Sequence, residues 1–166
     1  MAARIRSVQN EPREEERPLP AYLALVAVYN TVLAAGLLVA HRTGRKVPDR
    51  VPVVDLLLLG VATFKLSRII SRAKVTSALR SPLTEFEQPI ADGEVMERPT
   101  GSGIRKAIGE LVLCPFCIAQ WIGTCLYGGL LFAPSYTRFI ASLFVSVTVS
   151  DFFQYFREAI RKKADE

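Results

Sequence analysis

The sequence predicts an all-α fold: a four-helix integral membrane bundle with one long cytoplasmic loop that carries an amphipathic interfacial helix. Half of the 166 residues are hydrophobic, and the apolar residues lie in long blocks rather than scattered along the chain. Three of these blocks approach or reach the roughly 20 residues that an α-helix needs to cross a bilayer. A soluble domain of this length rarely has three such runs, so we expect an integral membrane protein.

The N-terminal part of the chain contains a polar tail and then the first long apolar block. Residues 1–20 are polar and mixed in charge, and they predict a disordered tail. The apolar block at 21–40 is too long for the hydrophobic region of a signal peptide and lacks a suitable cleavage pattern. We therefore expect an uncleaved signal-anchor helix there.

The second block, 53–71, is the ambiguous one. Its uninterrupted apolar part is short, and Lys65 and Arg68 follow at a helical i, i+3 spacing. A lysine at mid-bilayer costs roughly 2.5–3.5 kcal/mol on insertion scales, and less when the side chain reaches the nearer surface. We expect this helix to span the membrane; a re-entrant or interfacial helix is the alternative.

The long loop, 72–113, is too polar to enter lipid. Its start predicts a short helix capped by Thr76 or Ser77, and its acidic and proline-rich middle predicts a solvated loop. Between residues 104 and 113, apolar and charged residues recur with a helical period. That stretch predicts an amphipathic helix on the membrane surface, leading into Cys114.

The remaining apolar blocks predict helices at 114–133 and 138–156, followed by a basic C-terminal tail at 157–166. Lys and Arg residues are more numerous in the two tails and the long loop than in the other two connections. This bias predicts that both termini are cytoplasmic. We assign the net charge of +5 to contacts with lipid headgroups, because no nucleic-acid-binding motif accompanies it.

In this topology four charged residues fall in one interfacial layer, the cytoplasmic ends of the helices. They are Lys65, Arg68, Glu110 and Asp151. Buried charges persist when they are paired. We therefore expect Lys65 or Arg68 to contact Asp151 or Glu110. A structural ion pair is the first interpretation, and a proton relay or substrate site is the alternative.

Two stripes of small and polar residues recur every four positions on the last two predicted helices. The stripes are Gln120, Thr124 and Gly128 on one helix and Ser142, Ser146 and Ser150 on the other. Such spacing allows close helix approach in lipid, so we expect the two faces to meet. A pore lining is the alternative.

The Cys114-Pro-Phe-Cys117 sequence is the most chemically suggestive site. Pro115 suits the first turn of a helix, so Cys114 would lie at the N-cap, where exposed N–H groups favour a thiolate. Three interpretations stay open: small apolar fillers without chemistry, a redox dithiol with Cys114 as nucleophile and Cys117 as resolving thiol, and a metal site shared across a dimer. The sequence predicts no cofactor and identifies no metal site within one chain.

Three passages together resemble a bacterial membrane-protein family, the domain of unknown function thirteen-sixty, which has sporulation-associated members. The passages lie at 59–70, 74–82 and 114–121. The positions that match the family's motifs are Lys65, Arg68, Arg80, Cys114, Cys117 and Trp121. The resemblance implies a small multi-pass protein of the bacterial cytoplasmic membrane and implies no activity.

From these observations we expect a non-enzymatic scaffold or accessory protein. The alternative is a membrane thiol–disulfide oxidoreductase that uses Cys114 and Cys117. The expected partners are the lipid bilayer and either a second copy or another membrane protein. The sequence identifies no nucleic acid and no small-molecule substrate.

Overall fold

The computed structural model describes residues 18–91 and 93–164, and in these ranges the chain forms six α-helices and one β-hairpin. A single 3₁₀ turn, Lys74–Thr76, follows the second helix. The elements are α1 Leu19–Arg42, α2 Val53–Arg72, α3 Ser77–Arg80, β1 Thr84–Ala91, β2 Glu94–Pro99, α4 Gly103–Leu113, α5 Pro115–Phe132 and α6 Pro134–Ala164. The expected tail at 1–20 lies almost wholly outside the described residues.

Among the described residues, three helices are long and apolar enough to cross a membrane: α1, α5 and α6. The predicted helical character and the presence of several potential spans are therefore confirmed. The 20-residue α2 is not among the three, since it contains Asp55, Lys65, Arg68 and Arg72. A fourth crossing by α2, and with it the four-helix bundle, stays a prediction.

Helix α2 lies at the centre of the packing and contacts both α5 and α6. The core consists of Leu59 and Ala62 on α2 and Ala141 on α6, all at most 1% exposed. Two alanines at a helix contact let the backbones approach closely, which is how helices associate in lipid. Partly buried leucines of α5 and Phe144 of α6 surround this contact.

A single residue, Ala133, separates α5 from α6. Pro134 has no N–H with which to continue α5, but it is well suited to the first turn of the next helix. Gly129 allows the two helices to meet, because a Cβ at this position would lie 2.7 Å from the Thr137 hydroxyl. The stretch between the two predicted helices, 134–137, is therefore helical, and α6 begins four residues earlier than expected.

At its other end α6 continues to Ala164, through most of the predicted basic tail. Its last turn contains Arg161, Lys162 and Lys163. Positive charges are stabilising there, because the carbonyl groups at the C-terminal end of a helix carry partial negative charge.

The predicted solvated loop contains an antiparallel β-hairpin. Its register runs from Thr84 opposite Pro99 to Ala91 opposite Glu94, with two irregularities in β1 near Pro89. The turn includes Gly93 at φ 82°, a conformation that favours glycine.

Helix α4 packs against β2, α1, α5 and α2. Its contact with the hairpin region is tight: a Cβ on Gly109 would lie 2.9 Å from the carbonyl oxygen of Leu83 and 3.1 Å from Pro99 Cβ. Ala107 and Leu113 are buried beside it. The predicted helix is therefore present; it packs on the protein through Ala107, Gly109 and Leu113, whereas Ile104 is 50% exposed.

Candidate functional site

The first turn of α5 places the two motif cysteines side by side. The backbone of Cys114 is extended, so α4 ends before this residue and α5 begins after it. Cys114 is therefore the N-cap residue of α5, and Pro115 is its first helical residue. The structure joins Cys114 and Cys117 as a disulfide, with Cα atoms 5.2 Å apart. The Cys117 backbone N–H also donates to Cys114 Sγ at 3.2 Å. Cys117 is exposed and Cys114 is half-buried, the reverse of the accessibility expected for a Cys114 nucleophile.

A cleft of about 470 Å³ opens beside this disulfide, between α1, α4 and α5. Its walls are mostly apolar and include Leu25, Val26 and Leu111. Its polar and aromatic lining residues are Tyr22, Tyr29, Glu110, Gln120 and Trp121, and both cysteines border it. The volume lies in the range of small-molecule sites, roughly 300–1,000 Å³.

A hydrogen-bond network connects α1 to α5 along the cleft. Gln120 Nε2 donates to the Tyr29 hydroxyl at 2.9 Å, and that hydroxyl lies 2.8 Å from Thr124 Oγ1. The Thr124 hydroxyl donates to the backbone carbonyl oxygen of Gln120 at 2.9 Å. Trp121 meets Tyr29 edge to face, with ring centroids 5.2 Å apart. Gln120 and Thr124 therefore face α1.

The predicted meeting of two polar stripes between α5 and α6 is wrong. Ser142 and Ser146 are exposed, and their hydroxyls donate to carbonyl oxygens of their own helix, at 2.7 and 3.0 Å. A serine that bonds its own backbone needs no neighbouring helix. Ser150 is likewise exposed, and nothing would lie within 4 Å of a Cβ on Gly128. The buried residues of α6 are instead Thr137, Ala141 and Thr148.

The four residues of the predicted charge layer are divided among three different contacts. Lys65 Nζ contacts the Asp151 carboxylate, joining α2 to α6. Arg68 instead forms a two-pronged ion pair with Glu94 of β2, at 2.7 Å to each carboxylate oxygen. Sequence reasoning missed this partner because it treated Glu94 as part of a solvated loop.

Glu110 lies in the cleft and contacts neither Lys65 nor Arg68. Its carboxylate accepts a hydrogen bond from the Tyr22 hydroxyl of α1. Lys106, one helical turn earlier on α4, lies 3.9 Å from it. The structure therefore places Glu110 with the cleft rather than with the α2–α6 contact.

A buried ion pair that sequence reasoning missed joins Arg80 to Glu97, whose side chains are 2% and 1% exposed. Arg80 Nε donates to Glu97 at 2.8 Å. The same guanidinium donates to the carbonyl oxygens of Ile70 and Ala73 at 2.5 and 3.2 Å. These carbonyls lie at the end of α2, where the last turn of a helix lacks intrahelical partners, so Arg80 caps α2.

The Glu97 carboxylate has further neutral donors. The Ser77 hydroxyl donates to one oxygen, and the Thr84 hydroxyl lies 2.9 Å from the other. Burial alone would raise the pKa of Glu97, but the hydrogen bonds from Arg80, Ser77 and Thr84 outweigh it and hold the pKa below its usual value. Thr76 and Arg80, both in one of the family-like passages, thus stabilise the junction between α2 and the hairpin.

A second missed pair lies at the start of α2. Arg138 of α6 binds Asp55 with two hydrogen bonds, at 2.8 and 2.7 Å, and Asp55 is 4% exposed. Together with the contact of Lys65 and Asp151, this pair shows that α2 and α6 run in the same direction. Sequence reasoning did not consider Arg138 as a partner, because it looked for charge pairs only at the cytoplasmic ends of the helices.

Over the described residues these features define a helical protein with three helices able to span a membrane and a cysteine pair beside a cleft between α1, α4 and α5. The chain belongs to a family described as protein of unknown function (DUF1360), whose model matches residues 58–157. The predicted family is therefore confirmed.

One curated relative is the sporulation protein YjcA of Bacillus subtilis (strain 168), which is 34% identical over 71 residues. The match covers 41% of this chain and 60% of the relative's length. No solved structure matches.

Proposed function

We propose that the Cys114–Cys117 pair performs thiol–disulfide exchange at the membrane surface. The observation that carries this proposal is a disulfide at the first turn of α5 with one exposed sulfur-bearing residue, Cys117. A cysteine that only fills space is normally buried and chemically inert. From the sequence alone a non-enzymatic scaffold was the first interpretation and thiol chemistry the alternative. We now place thiol chemistry first, because the two cysteines are paired beside a cleft and Cys117 is exposed.

The exposures assign a role to each sulfur. A thiolate of a client protein attacks Cys117 Sγ, the accessible one; the bond between the two sulfurs breaks, and Cys114 Sγ leaves as a thiolate. The Cys117 N–H and the start of α5 stabilise that negative charge. A second client thiolate then attacks the client sulfur of the mixed disulfide and releases Cys117. The client gains a disulfide and this chain holds two thiols.

Thiol trapping of the full chain in membranes tests this exchange. In untreated membranes we expect Cys114 and Cys117 to resist a maleimide reagent until a reductant is added, and to become resistant again after the reductant is removed. The exchange is reversible, and in the reverse direction the Cys117 thiolate attacks a client disulfide and Cys114 then releases the client. A Cys114→Ser variant lacks that second thiolate, so mixed disulfides with an oxidised client should accumulate at Cys117. Cys125→Ser is the matched control, since Cys125 is the free, exposed cysteine of the same helix. Thiols that stay fully reactive throughout would refute the proposal.

A scaffold or accessory role remains the second candidate, because the segment after α2 is a folded unit with exposed apolar residues. Arg68 and Arg80 hold the hairpin to α2, while Val75 and Leu79 are 84% and 81% exposed. If this role is the correct one, Leu79→Asp should abolish crosslinking to a specific partner in membranes, and the Cys114→Ser, Cys117→Ser double variant should leave it unchanged. The reverse pattern would favour the redox role.

A further inference from the structure

We propose that the cleft between α1, α4 and α5 binds a lipid-soluble quinone, which oxidises the Cys114–Cys117 dithiol. This inference rests on the proposed thiol chemistry and names the electron acceptor for it. Each oxidation of a client leaves this chain reduced, so another turnover requires a two-electron acceptor that reaches the pair.

The electron balance selects the chemical class. Two sulfur–hydrogen bonds break, one sulfur–sulfur bond forms between Cys114 and Cys117, and two electrons and two protons leave the pair. A quinone takes up both electrons and both protons and becomes a quinol, because its two carbonyl oxygens become hydroxyls. No further reactant is needed.

The lining of the cleft fits a ring of this kind. Trp121 and Tyr29 supply aromatic surface, and Leu25 and Val26 supply apolar walls. The Gln120 side chain donates one N–H to Tyr29; in the described part of the chain its other N–H and its carbonyl oxygen are without a protein partner. An amide both donates and accepts, so Gln120 can donate to a quinone carbonyl and accept from a quinol hydroxyl.

The approach to the cleft is apolar as well. Leu23 and Val26, on the first turns of α1, are 71% and 58% exposed, and α1 is one of the helices able to span a membrane. Exposed apolar side chains on a spanning helix face lipid, the phase in which long-tailed quinones dissolve. The disulfide therefore lies where a lipid-soluble oxidant and a soluble client can both reach it.

Fluorescence of Trp121 measures this binding directly, because Trp121 is the only tryptophan of the chain. We would titrate the full-length protein in detergent micelles with decylubiquinone and expect saturable quenching. Gln120→Leu removes the side chain that would hydrogen-bond the quinone and should weaken quinone binding about three- to tenfold, the fold-change expected for one hydrogen bond. Tyr29→Phe, which keeps the aromatic surface but releases Gln120, should weaken it less. Ser146→Ala on the outer face of α6 is the control and should bind as the unmodified chain does.

Two outcomes would overturn the inference. Quenching that does not saturate, or that is equal in all variants, reflects partition into the micelle and overturns the inference. Displacement of the quinone by dodecanol at a similar concentration would mean that the cleft holds an acyl chain, which also overturns it. The Cys114→Ser, Cys117→Ser double variant should still bind.

A second measurement separates this inference from the proposed exchange chemistry. Anaerobic addition of decylubiquinone to the reduced protein should form one disulfide per quinone consumed. If the quinone binds but no disulfide forms, the quinone is not the oxidant and the inference is overturned, while the proposed exchange is still decided by the client assay alone. If the thiols exchange with a client dithiol but the quinone does not bind, only the inference fails.

Discussion

Removing the Arg80 guanidinium should open the hairpin and leave the rest of the protein folded. The proposed substitution is Arg80→Met, which keeps a long apolar side chain and deletes the charge. Glu97, 1% exposed, would then hold its negative charge with only the hydroxyls of Ser77 and Thr84 as donors. The carbonyl oxygens of Ile70 and Ala73 would lose their partner as well.

The magnitude follows from this burial. Removing one partner of a buried ion pair costs about 3–5 kcal/mol, since the remaining charge stays desolvated. The exposed pair on the same hairpin provides the matched control: Arg98 and Glu85 lie 2.8 Å apart, but their side chains are 64% and 58% exposed. Exposed pairs contribute about 0–1 kcal/mol, so Arg98→Met should have little effect.

Hydrogen–deuterium exchange of the hairpin amides measures the local opening free energy in detergent-solubilised protein. A cost of about 3 kcal/mol corresponds to exchange roughly 150-fold faster in β1 and β2, with α5 and α6 unchanged. The double variant Arg80→Met, Glu97→Met should recover much of the protection, because no charge is then buried alone. Exchange in Arg80→Met within threefold of that in Arg98→Met would refute the reasoning.

Two further predictions concern the same region. The pKa of Glu97 is lowered in the folded chain, so its ionised carboxylate stabilises the fold above the unfolded pKa of about 4.3, and this stabilisation is lost as the pH falls through the lower folded pKa. Protection of the hairpin amides from exchange should therefore fall in that acidic range. Glu97→Gln should remove that part of the pH dependence. Gly109→Ala should destabilise α4 by about 1–3 kcal/mol although alanine favours helices, because its Cβ would meet the Leu83 carbonyl oxygen at 2.9 Å. Thermal unfolding of both variants measures this: Gly60→Ala on α2, where nothing lies within 4 Å of the added Cβ, should be neutral or stabilising, and equal effects at both positions would contradict the packing argument.

The apolar blocks predicted the long helices because composition and length alone decide whether a segment can span a bilayer. It was harder to predict which face of each helix is buried against its neighbours. Small residues at a four-residue spacing occur on more than one face of α6, and the spacing does not say which face is buried. Thr137, Ala141 and Thr148 form the buried face, while the serine stripe bonds its own backbone.

The β-hairpin was missed although the sequence contains a signal for it. Asp92-Gly93 is a favoured dipeptide in two-residue hairpin turns. The acidic residues and Pro89 outweighed this signal in the sequence interpretation, because prolines are rare inside strands. Once the hairpin is overlooked, Glu94 and Glu97 have no fixed position, so the partners of Arg68 and Arg80 cannot be inferred. Predicting these two ion pairs would have required the register of β2.

The motif residues shared with the family fall into two groups: those in ion pairs within the chain and those that border the cleft. Lys65, Arg68 and Arg80 each contact a carboxylate of the same chain, and Arg80 is buried as it does so. Those charges are already neutralised by contacts that hold α2, α6 and the hairpin together. Cys114, Cys117 and Trp121 instead border an open cleft, and Cys117 is exposed. Chemistry with an outside molecule requires accessible groups, so the function of this chain is to be sought at α5 and its structural support at α2.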